Sequence, residues 1–84
     1  MVREILDDLK VIIQKTLGLE RSAESLDAST PMLGAMPELD SLGVVQLAAE
    51  LEKRFDFQID DGELTAEVFA TVGTLADFVD QKAR

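Results

Sequence analysis

In the stretch PELDSLGVVQLAAELEKRF, residues 37–55, the hydroxyl of Ser41 stands between an acid and a leucine, where a turn-rich segment gives way to an apolar pattern. A serine hydroxyl does chemistry in one of two ways: as a nucleophile activated by a neighbouring base, or as the acceptor of a group that another enzyme attaches. The 84 residues include no histidine, cysteine, tyrosine or tryptophan, so the usual activating base is missing. Ser41 therefore reads as a substrate rather than a catalyst. A phosphate ester at the first turn of a helix would sit near the positive end of the helix dipole and close to amides that lack an intrahelical partner. Asp40, a favoured N-cap residue, would precede it. Taken by themselves, Asp40 and Ser41 fit an ordinary helix cap better than an attachment site, because such caps are common.

The remaining chemistry is carboxylate chemistry. Enzymes built on paired carboxylates need a cleft, which a domain this small rarely forms, so intrinsic catalysis is not expected. The run DFQIDDGE invites a calcium loop, and its spacing can be tested. With Gly62 at the obligatory glycine position, the first and last ligand positions would fall on Phe57 and Val68, neither of which can coordinate. No metal site is expected, and the acids read as a solvated face.

The composition, 46% hydrophobic and 30% charged, is that of a folded chain rather than a disordered acidic one. Its length holds one core, so residues 1–84 are expected to form a single domain. A net charge of -9 argues against nucleic acid as a partner and for basic protein surfaces. That charge is uneven: between Phe55 and Gln81 there are seven acids and no base. No apolar run approaches the ~20 residues of a membrane span, and the charged opening MVREILDDLK lacks a signal-peptide core, so a cytoplasmic location is expected.

These residues must be positioned by helices. Ile5, Leu6, Leu9, Ile12, Ile13 and Leu17 recur at helical spacing, predicting a helix from Val2 to Leu17 that is stopped by Gly18. From Gly18 to Leu39 turn-formers dominate, and Leu26, Met32, Leu33, Met36 and Leu39 predict a packed rather than a floating loop. A second helix starts at Asp40, with Val44, Ala48, Leu51 and Phe55 on one stripe and Leu47 beside it. FDFQI reads as an extended connector with Phe57 and Ile59 inward. Asp60 or Asp61 would cap a short helix over 62–68, and Thr71 would cap a last one carrying Val72, Leu75, Ala76 and Val79. The fold class expected is all-α: a small antiparallel four-helix bundle of three longer helices and one short, with a long loop between the first two.

DSL at the head of an apolar-patterned second helix, after a long loop, in an acidic chain of this length, resembles the acyl carrier protein family. The resemblance runs from the first helix through DSLGVVQLAAELEKRFDFQIDD to ATVGTLADFV. It implies that Ser41 is esterified with 4'-phosphopantetheine, taken from coenzyme A by a separate phosphopantetheinyl transferase. The arm's terminal thiol would carry an acyl group as a thioester, supplying the sulfur the chain lacks. Asp40 would cap the helix and help engage the transferase, and Leu42 would contact partner enzymes.

The same resemblance makes the second helix the face read by partners, with Gln46, Glu50, Glu52 and Lys53 as partner-binding residues. Here Gly43 and Gln46 stand where acids are usual, and Lys53 and Arg54 stand where the helix end is often acidic. Such a change bears on which enzymes dock. The stretches LGAMPELDS and EVFATVGTL are similar to specialised stand-alone carriers that accompany acyl-activating enzymes. The implied partners are the transferase and acyl-activating and acyl-transferring enzymes, meeting a monomer. Val45, Leu47, Leu51, Phe69, Val72 and Leu75 are candidates either to shelter an acyl chain or to form the core. The alternatives are a peptidyl or aminoacyl carrier, and an acidic helical protein-binding adaptor without a prosthetic group.

Overall fold

A computed structural model describes residues 3–20, 22–37 and 39–83. Three α-helices order the chain: α1 at Arg3–Leu17, α2 at Ser41–Phe55 and α3 at Val72–Ala83, with 3-10 turns at Ala23–Ser25 and Asp61–Glu63. The all-α expectation holds. Val2, placed in the first helix by its pattern, lies outside the described residues.

Each helix follows from its stripe and its ends. In α1, Leu9 and Ile13 are fully buried, with Ile5, Leu6, Ile12 and Leu17 packed partly around them. Gly18 then takes a left-handed turn at φ 65°, and the Leu19 amide reaches back to the Gln14 carbonyl at 3.0 Å, satisfying an end carbonyl. Leu47, Ala48 and Leu51 of α2 and Val72, Leu75, Ala76 and Val79 of α3 complete the core. Thr71 caps α3: its hydroxyl accepts the Thr74 amide at 3.1 Å, and the Thr74 hydroxyl accepts the Thr71 amide at 3.0 Å. α2 closes at Asp56, held at φ 57°, a left-handed conformation that aspartate tolerates better than most side chains. Arg54, near the end of α2, reaches Asp8 in α1, while Thr16, near the end of α1, shares a surface hollow with Gln46 of α2. The two helices therefore run antiparallel.

The loop between α1 and α2 is packed as expected, with Leu19, Leu26, Met32, Met36 and Leu39 buried. Leu33 departs from that reading and is 39% exposed. The loop is also sewn to the segment before α3. The Met32 and Leu33 amides bond the carbonyls of Ala70 and Phe69, and the Val72 and Gly73 amides bond those of Thr30 and Ala28, at 2.8 to 3.0 Å. At Gly73 a methyl group would lie 2.7 Å from the Ala28 carbonyl oxygen, so only glycine permits this approach without a shift.

The short helix expected over 62–68 is instead a 3-10 turn at Asp61–Glu63 followed by a turn over 66–69. Leu64 leaves helical geometry at ψ 73°, and the Thr65 hydroxyl accepts the Val68 amide, restarting a turn rather than continuing a helix. Glu63 closes this corner by accepting the Asp60 amide at 2.9 Å and pairing with Lys82 of α3 at 3.0 Å. Among the described residues no helix is long and apolar enough to cross a membrane.

Candidate functional site

The position of Ser41 is set by a relay of backbone bonds that starts at the sewn loop. The Met32 carbonyl accepts the amides of Ala35 and Met36, and the Met36 carbonyl accepts the Leu39 amide at 3.0 Å. The side chains of Met32, Met36 and Leu39 are all in the core. The last buried anchor thus lies two residues before Ser41. Asp40 follows in extended geometry, and its Oδ1 accepts the Gly43 amide at 2.8 Å while its carbonyl accepts the Val44 amide at 2.9 Å. Asp40 is the N-cap that the sequence predicts, and Ser41 is the first residue of α2.

Ser41 is exposed, whereas Gly43 two positions on is buried. The hydroxyl is therefore presented to solvent from a backbone fixed on both sides. The amides of Ser41 and Leu42 have no carbonyl a full turn earlier within the helix to bond, so they face outward with the positive end of the dipole. An oxyanion ester on the Ser41 oxygen would meet those donors, while the Asp40 carboxylate, turned to Gly43, leaves them free of a side-chain competitor. These residues fit a phosphate-linked group.

Around Ser41 the outer face of α2 is apolar. Leu42 is 64% exposed and Val45 57% exposed, and Ala49 follows four residues later, also exposed. The sequence groups Val45 with Leu47, Leu51, Phe69, Val72 and Leu75. The structure buries those five at 0 to 1% exposure and sets Val45 outside with Leu42. A signal for this was available: Val45 is four residues from Ser41 and so shares its face.

The polar residues expected to face partners are arranged unevenly. Gln46, Glu50 and Lys53 are exposed, and Lys53 lies 3.9 Å from Glu50. Glu52 is half-buried, and its Oε2 accepts the Ile59 amide at 2.7 Å, tying the connector back onto α2. Arg54 donates to Asp8 at 2.7 Å and lies 5.6 Å over the Phe55 ring.

This geometry, an exposed serine at a capped helix start on a braced loop, has counterparts among known proteins. The family described as "Phosphopantetheine attachment site" matches residues 7–79. An acyl carrier protein from Cyanidioschyzon merolae is 39% identical over 78 residues, covering 92% of this chain and 79% of its own length. A holo acyl carrier protein from Nitrosomonas europaea, solved in solution by NMR, superposes with a TM-score of 0.81 at 42% identity, covering 90% of this chain and 92% of that one. Such proteins are carriers rather than enzymes, and their phosphopantetheine group supplies a thiol on which cargo is held as a thioester. The chain belongs to the acyl carrier protein family, as a small all-α carrier built around a phosphopantetheine prosthetic group.

Proposed function

We propose that Ser41 is the residue to which the phosphopantetheine arm is attached, and that the single domain delivers an acyl group from that arm to partner enzymes. The observation that carries this reading is the exposed Ser41 hydroxyl at the start of α2, two residues beyond a buried anchor. Asp40 holds the helix start open toward the arm by taking the Gly43 amide onto its own carboxylate. Leu42 covers the attachment point from the partner's side. Gln46, Glu50, Glu52 and Lys53 complete the partner-reading region.

The enzymes served are a phosphopantetheinyl transferase, which uses coenzyme A, and acyl-activating and acyl-transferring enzymes that load and unload the thiol. The carrier acts as a monomer in the cytoplasm. The net charge of -9 supports an acyl cargo over an aminoacyl one, since aminoacyl and peptidyl carriers are typically less acidic.

Co-expression with a broad-specificity phosphopantetheinyl transferase tests the assignment. Intact mass should rise by one phosphopantetheine, and Ser41→Ala should abolish the rise while far-UV circular dichroism stays unchanged. A parent protein whose mass does not change, or a Ser41→Ala variant that still gains the group, would overturn it.

A further inference from the structure

The reciprocal cap at the start of α3 departs from the common form of that motif, in which a glutamate or glutamine three residues after the cap accepts the cap's amide. Here the third position is Thr74, whose hydroxyl accepts the Thr71 amide at 3.0 Å and lies 3.4 Å from the Thr71 hydroxyl. A hydroxyl, unlike a carboxylate, also has a proton to give. Two carbonyls stand 2.9 Å from the Thr74 oxygen, those of Val68 and Thr71. The Thr71 carbonyl already takes the Leu75 amide at 3.2 Å, whereas among the described residues no backbone amide is bonded to the Val68 carbonyl. The Thr74 proton is therefore needed at Val68.

That bond reaches back six residues and fastens the turn over 66–69 to the first turn of α3. The loop before α2 hangs on the same turn. The Phe69 and Ala70 carbonyls, directly after Val68, accept the Leu33 and Met32 amides at 3.0 and 2.9 Å. From Met32 the bonds run through Met36 to Leu39, two residues before Ser41.

Building on the reading of Ser41 as the attachment residue, we infer that Thr74 is a positioning residue for that reaction. By donating to Val68, its hydroxyl holds in place the carbonyls that carry the loop, and so the setting of Ser41. Capping α3 is a separate duty of the same oxygen, and the two duties can be parted. Thr74→Glu keeps the cap, because a carboxylate can accept the Thr71 amide. It also sets an acceptor against the Val68 carbonyl, which pushes the turn off α3.

The test combines amide hydrogen exchange, read by NMR, with the kinetics of arm attachment by a broad-specificity transferase and coenzyme A. Thr74→Glu should quicken exchange at Met32 and Leu33 about fivefold, the equivalent of one hydrogen bond, and leave Ile13 in α1 within about twofold. Its transferase KM should rise about threefold with kcat unchanged, because a smaller share of molecules holds the loop in the competent setting. Thr74→Val, which removes the proton without adding charge, should move both readouts the same way, and Thr74→Ser should restore the parent values. Gln81→Glu puts the same extra charge in the surface hollow that Thr74 lines, and should match the parent. Thermal melts establish that every variant is folded. A Thr74→Glu protein with parental exchange and KM would reduce the hydroxyl to a helix cap and overturn the inference, as would faster exchange with no change in KM. Equal acceleration at Ile13 would mean general loosening and would defeat it as well. A parent that takes no arm would instead sink the Ser41 assignment, and the positioning role with it, whatever the exchange at Leu33 shows.

Discussion

The two non-helical segments, 18–40 and 56–71, are held by different forces. The first buries five large apolar side chains, Leu19, Leu26, Met32, Met36 and Leu39, and uses them to fix where Ser41 stands. The second buries Phe69 but leaves Phe57, Ile59, Leu64 and Val68 only partly covered. Its course is set by polar bonds instead: Glu52 to the Ile59 amide, Glu63 to the Asp60 amide, and Glu63 to Lys82. Burial is not screened by water or salt, whereas exposed polar bonds are. On the proposed function, the segment that holds the attachment residue still is thus the packed one, and the segment after α2 is tied down more lightly.

The largest expected effect comes from removing a buried side chain of the first segment. Met32→Ala should cost about 2–5 kcal/mol in urea unfolding. Ile59→Ala, in the half-covered second segment, should cost about half as much by loss of buried area. Equal losses would break the contrast.

Next is the place where the two segments meet. Gly73→Ala drives a methyl group against the Ala28 carbonyl, and should cost about 1–3 kcal/mol. Amide hydrogen exchange at Met32 and Leu33 should quicken with it, since the same ladder holds them. Protection unchanged at those amides would mean that the loop stands without its brace.

Asp40→Ala should lose a cap of about 0.5–2 kcal/mol and slow arm attachment. This sharpens the contrast, because it perturbs the presentation of Ser41 while leaving the buried anchor Leu39 in place. Melting and attachment rate both unchanged would show that the cap has no part in presentation.

The smallest effect is expected from acid. The Asp60 amide, then Lys82, hold the Glu63 carboxyl below its ordinary value of 4.5. Its folded pKa is thus lower than its unfolded one, and its contribution is present above 4.5 and lost as pH falls through the folded value. Glu63→Gln should therefore lower the melting temperature at neutral pH, with the difference closing in more acidic solution. Asp27 in the first segment is shifted in the same direction by the Ser29 hydroxyl and amide. Acid should consequently weaken both segments, and a gap for Glu63→Gln that persists at low pH would remove its carboxylate from the account.

The sequence made the helices legible because their information is periodic. The α1 stripe, the Asp40 cap and the Thr71 cap each depend on residue types at fixed spacings, and each appears where the spacing puts it. The sewing of residues 28–33 to 69–73 had no such signal, because backbone amides and carbonyls pair regardless of side chain. Gly73 is its one compositional trace. Around the site, Asp40 and Ser41 could be read from local chemistry. The exposed strip could not be read by hydrophobicity alone, which groups Val45 with the core it does not join. Over 62–68 the expected helix fails for a local reason, a threonine hydroxyl that competes for the backbone.

The backbone ladder between the first loop and the start of α3 joins residues about forty positions apart. Contacts of that sequence separation form late in folding, since a long loop must close before they are gained. During synthesis Ser41 is made before Phe69 to Gly73 exist. Until then the loop has no brace and the serine no fixed setting. On the proposed attachment at Ser41, a transferase that required the braced loop would act only on chains in which this ladder has closed, and possession of the arm would then record completed folding.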